Sequence, residues 1–376
     1  MISKKLIILT FLLVIFSPLG IDLYLPSIVE IENFFGGNAE LIVPFYLLGL
    51  AFGQLFLGVL SSEFDIKKIL IFSLILFIGS SLLVLLTDLF AGLLFLRCLQ
   101  GIAVGGFVVT CQTIVLTYFQ DKKAAYYFSW LNAVLNTVPV LSPLLGSFLL
   151  NHLGWQFCFI VSSGYALLVL LFLNYTPLNL SSNYGFSVNN IRDLLNNKSF
   201  VYYCGSSCIA LSFILCFVTI IPKIMMQDFG LSPAEFSAYF SLNAFLAMIV
   251  SYLAPFLLSR FTHFWVFKLG VLGMFTSGVL LVLFANQGLY ALMFFIAIGC
   301  FGYSVFRGSV KSLTLSNCGQ SLGIGMAALG FLELVVAFSL SQIYAVFDLG
   351  LLHLGFLPLL FVFYIIKPQT IQQSYR

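Results

Sequence analysis

Long apolar runs alternate with short polar breaks along nearly the whole chain. The runs cover residues 6–28, 41–60, 68–87, 89–116, 124–150, 155–175, 199–226, 236–258, 264–285, 288–310, 320–345 and 349–366. A helix needs roughly 20 apolar residues to cross about 30 Å of hydrocarbon, and these runs have that length. The pattern predicts an all-α membrane protein with twelve transmembrane helices. The least marked boundaries are Thr87-Asp88, between the third and fourth spans, and Asn286-Gln287-Gly288, between the ninth and tenth. The first run follows Lys4 and Lys5 and resembles a secretory leader. No small-residue cleavage site follows it, and the apolar character continues past Asp22 to Leu25, so it is read as the first span.

The longest polar interruption is 176–198, rich in Asn and Ser, with the makings of a short interfacial helix at Val188–Leu195. It divides the chain into a six-helix bundle at 1–175, a cytoplasmic linker at 176–198 and a second six-helix bundle at 199–376. A faint internal echo supports two related halves, as in several transporter folds. Pro26 near the end of span one matches Pro222 near the end of span seven, and Ser62-Glu63-Phe64 matches Ser259-Arg260-Phe261.

Charge fixes the orientation. Lys4, Lys5, Lys67, Lys68, Lys122, Lys123, Arg192, Lys198, Arg260, Lys311, Lys367 and Arg376 fall on one side of the alternating spans, twelve of the 16 basic residues. The other four, Arg97, Lys223, Lys268 and Arg307, fall within spans. Basic residues collect in cytoplasmic loops, so both termini are expected in the cytoplasm.

Composition narrows the class. Of 376 residues, 61% are hydrophobic and only 8% charged, against about 25% charged in soluble domains. The net charge of +3 gives no reason to expect nucleic acid. Cys98, Cys111, Cys158, Cys204, Cys208, Cys216 and Cys300 lie in apolar runs and Cys318 in a loop, without metal-ligand spacing; they read as small hydrophobes. His152, His263 and His353 are scattered, and neither a Walker loop, an HExxH motif nor a Ser/His/Asp arrangement occurs. No metal, no cofactor and no enzyme is expected, and no filter-like repeat suggests a channel. What remains is a protein embedded in a lipid bilayer, read as a monomer.

Ionisable side chains within spans are costly and usually functional. Asp22 lies about 24 Å up an outward-rising helix and Arg97 about 12 Å down a descending one, at 1.5 Å per residue. Across a path of about 35 Å those depths coincide, so the two can meet. A carboxylate charged beside a guanidinium and able to take a proton away from it is what a proton carrier needs; the plainer reading is a static ion pair locking two helices. Glu333 lies near the midplane of span eleven, as a second proton site, a substrate contact, or a hydrogen-bonded acid at a helix interface. Arg307 and Lys311 share a face at i, i+4. Lys311 reads as a loop charge, and Arg307 as a snorkelling interface charge or a cavity residue that attracts an anion. Asn132 and Asn136 share a face of span five, as substrate hydrogen bonders or helix–helix glue.

Several stretches together resemble the major facilitator superfamily, and within it the bicyclomycin-resistance (Bcr/CflA) branch of drug:proton antiporters. Gly20-Ile-Asp-Leu-Tyr-Leu-Pro26 is similar to that branch's first-span signature, and Gly49-Leu-Ala-Phe-Gly-Gln54 to its second span. Arg97-Cys-Leu-Gln-Gly101 resembles the span-four motif, and Pro139-Val-Leu-Ser-Pro143-Leu-Leu-Gly146 the span-five motif that marks antiporters. Gly154-Trp155 and Gly325-Met-Ala-Ala-Leu-Gly-Phe331 follow the family at spans six and eleven. The resemblance implies proton-coupled export by alternating access in a bacterial inner membrane, with Asp22, Arg97 and Glu333 in proton coupling and Tyr24, Asn132, Asn136 and Arg307 at the substrate cavity. Departures accompany it. The loop after span two, a latch in the family, has Ser62, Glu63 and Asp65 where relatives have Asp, Arg and Gly. Arg307 and Glu333 place charges where relatives have none. The aromatic-rich, charge-poor chain and the resemblance favour export of small, partly apolar compounds, that is multidrug efflux. The extra charges favour the alternative of an exporter dedicated to an endogenous metabolite such as a carboxylate siderophore.

Overall fold

The computed structural model describes residues 4–176 apart from 62 and 120, residue 178, and residues 196–284, 287–316, 322–347 and 350–361. The expected interfacial helix at Val188–Leu195, together with Arg192, Cys318, Lys367 and Arg376, lies outside the described residues. Every regular element among the described residues is helical. The first span consists of α1 (Lys4–Val14), α2 (Phe16–Asp22) and α3 (Ile28–Phe35). Then come α4 (Ile42–Leu60), α5 (Ile66–Leu83), α6 (Phe90–Tyr118), α7 (Asp121–Leu153) and α8 (Gln156–Leu173). After the linker follow α9 (Lys198–Lys223), α10 (Pro233–Arg260), α11 (His263–Phe284), α12 (Leu289–Ser316), α13 (Leu322–Phe347) and α14 (Gly350–Leu359).

Among the described residues, ten segments are long and apolar enough to cross a membrane, counting Lys4–Phe35 as one. The eleventh expected span falls on α13, whose side chains are described over Leu329–Gln342, and the twelfth on the ten-residue α14. The helices are apolar around most of their circumference, and large side chains such as Leu86, Phe95 and Trp265 stand exposed. A helix that is apolar all round suits lipid or a buried core, not a water-facing surface. The chain is a multi-pass membrane protein.

The short breaks end helices by local chemistry. Asp65 caps α5 by accepting from the Lys67 backbone N–H at 2.9 Å, so a residue that departs from the family's loop has a local structural task. Ser232 and Glu235 form a reciprocal capping box before α10, with the Ser232 N–H donating to the Glu235 carboxylate at 2.9 Å. Gly36 closes α3 at φ 65°, a left-handed backbone that glycine adopts without strain. One boundary differs from the sequence reading. Helix α12 runs through Ser316, so Lys311, expected in a loop, is helical and half-buried.

By packing, the chain forms two units, Met1–Phe186 with Met226–Ser241, and Ser187–Met225 with Leu242–Arg376. In the first, Phe16 of α2 centres an aromatic core, 5.1 Å from the Phe77 ring, 4.6 Å from Phe107 and 4.8 Å from Tyr165. That core ties the first span to α5, α6 and α8. Helices α4 and α6 pack backbone to backbone: a side chain on Gly101 would strike the Tyr46 carbonyl, and one on Gly49 the Cys98 carbonyl. Without a hydrophobic drive between helices in lipid, small residues that allow such approach supply the contact. The second unit holds a core of Tyr203, Phe267, Phe306 and Phe361.

Candidate functional site at the broken first span

Two prolines explain why the first span is broken. Proline lacks the N–H that would bond the carbonyl four residues earlier, and its ring crowds that turn. Pro18 stands four residues after Val14, where α1 stops. Pro26 stands four residues after Asp22, where α2 stops, and a 3-10 turn at Leu25–Ser27 leads into α3. Asp22, Leu23 and Tyr24 therefore sit at an interruption inside the span, where the backbone carbonyls of the preceding turn need other partners.

Side chains on α6 and α8 supply them, and α7 packs against the same turn. From α6, the Arg97 guanidinium donates to the Gly20 carbonyl at 2.5 Å. From α8, the Cys158 thiol donates to the Leu23 carbonyl at 3.6 Å. From α7, Gly146 presses its Cα against that same Leu23 carbonyl, with no room for a side chain. The Tyr46 hydroxyl of α4 donates to the Phe16 carbonyl at 3.2 Å, one turn below.

Arg97 is only 2% exposed. Its second donor goes to Gln100 Oε1 at 2.6 Å, and Gln100 in turn donates to Ser81 Oγ of α5 at 3.0 Å. The guanidinium carbon lies 4.4 Å from the Tyr24 ring centroid and 4.7 Å from that of Tyr46, with Phe159 at 5.9 Å. A cation over an aromatic face in a desolvated setting gains about 2 kcal/mol. Carbonyl, amide and π faces thus stabilise a charge that the bilayer would otherwise penalise.

Asp22 is buried at 4% exposure. The ion pair expected between Asp22 and Arg97 is not formed among the described residues. Two of the guanidinium's donors go to the Gly20 carbonyl and Gln100, while its buried Nε has no hydrogen-bond partner. Both charges nevertheless act on Tyr24 and Tyr46, so they share one aromatic-walled enclosure. The arrangement holds a buried carboxyl and a buried cation against the same two tyrosines without joining them.

The other named residues lie elsewhere. Pro143 and Gly146 are buried on α7 and Pro139 is half-buried. Asn132 is exposed and Asn136 half-buried on α7, and no hydrogen bond from either reaches the Arg97 cluster. In the second unit, Glu333 of α13 accepts a short hydrogen bond from the Ser207 hydroxyl of α9, amid Phe200, Cys204, Cys208 and Leu329. Arg307 lies 5.8 Å from the Tyr303 ring centroid.

The Major Facilitator Superfamily profile matches residues 10–342. The chain belongs to this superfamily. Among similar curated proteins is the multidrug resistance protein MdtL of Salmonella dublin, 30% identical over 340 residues, covering 88% of this chain and 85% of that one. The MdtL of Klebsiella pneumoniae is 27% identical over 338 residues, with the same coverages. Among solved structures, a D-xylose–proton symporter superposes with a TM-score of 0.73 at 16% identity, covering 96% of this chain and 97% of that one. An inward-facing, unoccupied bacterial homologue of the human lysosomal transporter Spinster gives a TM-score of 0.70 at 16% identity, covering 92% and 84%. At such identities these structures share the fold alone.

A superfamily transporter, not an enzyme, thus carries the buried cluster around the broken first span. Sequence reasoning found Asp22, Tyr24, Arg97 and Gly146. Gln100 entered only as part of the Arg97–Gly101 motif, and Tyr46, Ser81, Phe159 and Ser207 were missed. A Ser or Phe within an apolar run carries no local mark; only the rotation of neighbouring helices brings these groups to the charges.

Proposed function

We propose that this major facilitator is a proton-coupled multidrug exporter of a bacterial inner membrane, with both termini cytoplasmic, moving small, partly apolar compounds by alternating access. The observation that carries the reading is the enclosure at the span break, where Asp22 and Arg97 are both buried around Tyr24 and Tyr46 but unjoined. A carboxyl in such a place switches between two partners, a proton and a guanidinium. In one state Asp22 holds a proton while Arg97 stays on Gly20 and Gln100. In the other the proton has left, and the carboxylate draws the guanidinium away from the Gly20 carbonyl. Gly146 and Cys158 abut the same break through Leu23, so this exchange shifts the contact of α7 and α8 with the first span. The proton gradient thereby drives the conformational change. Tyr24 lines the cavity side of this switch, Glu333 is a second proton site, and Asn132, Asn136 and Arg307 contact substrate.

The names of the relatives support drug efflux over an exporter dedicated to one endogenous metabolite. The test is transport of a neutral dye into everted membrane vesicles under an imposed pH gradient. Asp22→Asn keeps the shape of the side chain and removes the titratable group. Gradient-driven uptake is expected to vanish while the protein stays in the membrane. Asp22→Asn vesicles that still respond to the gradient would remove Asp22 from the coupling.

A further inference from the structure

A second charged group lies wholly within the unit Ser187–Met225 and Leu242–Arg376. On α12, Tyr303, Arg307 and Lys311 follow one another at four-residue intervals and so share one face. All three are half-buried. Glu333 approaches this face from α13, and its charge acts on both Tyr303 and Lys311. Ser207 of α9 anchors Glu333 from the other side. Two cations thus stand beside one carboxylate, and among the described residues neither cation is within ion-pair distance of it.

The polar face continues inward. One turn from Tyr303 is Cys300, and against it lies Asn243 of α10. Asn243 is only 4% exposed, and the weak Cys300 thiol is the polar group its amide faces, with no nitrogen or oxygen partner. A buried amide left unpaired costs free energy unless something else fills its valences. Like charges four residues apart on a helix repel, and the repulsion grows in a low dielectric. The face therefore combines two cations beside one carboxylate, the Tyr303 ring and a poorly satisfied amide, which together match a ligand with an anionic group and an apolar body.

We propose that this face of α12 is an anion subsite. Arg307 and Lys311 hold the carboxylate or sulfonate of anionic and zwitterionic amphiphiles, and Glu333 is the built-in counter-ion that the ligand displaces. Tyr303 packs against the ligand's apolar part, and Asn243, beside Cys300 one turn along, is the next polar group. The inference rests on the export reading, because it assigns one class among the exported compounds.

The experiment uses the full chain in nanodiscs and two fluorescent probes, dansyl-phenylalanine and its uncharged amide. The wild type is expected to bind the acid about tenfold or more tightly than the amide, the scale of one charge-assisted hydrogen bond. Arg307→Gln and Lys311→Gln should each bring the two probes to similar affinity by weakening the acid far more than the amide. Glu333→Gln should tighten binding of the acid alone, a gain that misfolding cannot imitate. Equal affinities in the wild type, or a preference that survives Arg307→Gln, would overturn the subsite and leave both cations as snorkelling interface charges. Weaker acid binding in Glu333→Gln would overturn the counter-ion role. If acid binding follows the expected pattern but wild-type everted vesicles never move the amide under a pH gradient, the export reading fails and the subsite stands.

Discussion

Gly146 offers the sharpest test of the broken span. Replacing it with alanine adds one methyl group. That carbon would lie inside the van der Waals envelope of the Leu23 carbonyl oxygen, 3.0 Å from the Leu23 carbonyl carbon and 3.4 Å from Pro26 Cδ. None of these atoms can rotate aside, because two are backbone and the third belongs to a proline ring. Either α7 retreats or the break moves. Overpacking of this kind costs about 1–3 kcal/mol, and the better helix propensity of alanine returns up to about 1 kcal/mol. A net cost of about 1–2 kcal/mol corresponds to roughly a 5- to 30-fold shift in any equilibrium that needs the tight contact. The control is Gly164→Ala on α8, where an added methyl meets nothing within 4 Å. In everted vesicles with matched protein levels, Gly146→Ala should slow gradient-driven dye uptake at least fivefold, and Gly164→Ala should leave it unchanged. Equal rates for the two variants would refute the claim that the α7 contact at Leu23 takes part in the transport cycle.

Arg97→Lys keeps the charge but cannot reach both the Gly20 carbonyl and Gln100 while lying over Tyr24. Losing one charge-assisted bond at about 1.5–3 kcal/mol should lower transport about tenfold or more; wild-type rates would show that the fork geometry is dispensable. Asp65→Ala removes the cap of α5 and should cost about 1 kcal/mol of stability, read as a lower midpoint of thermal unfolding in detergent with substrate binding retained. For topology, a periplasm-active reporter fused after Gly36 or Gly288 should be active and one fused after Phe261 inactive. Inverted signals would reverse the orientation inferred from the basic residues.

Much of this protein is legible along the chain because the bilayer acts on local properties. A segment either has about 20 apolar residues in a row or it does not, so the positions of the spans and the all-helical class follow without any tertiary information. The breaks at Val14 and Asp22 are equally local, since Pro18 and Pro26 each remove a bond four residues back. The isolated charges Asp22, Arg97 and Glu333 stand out for the same reason: in an apolar context each is costly and visible; Pro139, Pro143 and Gly146 stand out only through the family motif they resemble. What the chain alone left undecided is which polar atoms meet. Depth along two helices can be counted at 1.5 Å per residue, but rotation about their axes cannot. That rotation, with the opened turn after Asp22, sent Arg97 to the Gly20 carbonyl instead of the Asp22 carboxylate. It also brought Ser207 to Glu333 and set Gly146 against Leu23. The length of α12 moved Lys311 from an expected loop onto the face of Arg307. Hydrophobic length is a sum over neighbours in sequence, whereas a buried hydrogen bond joins residues 77 or 126 positions apart, and only packing of the helices chooses between such partners.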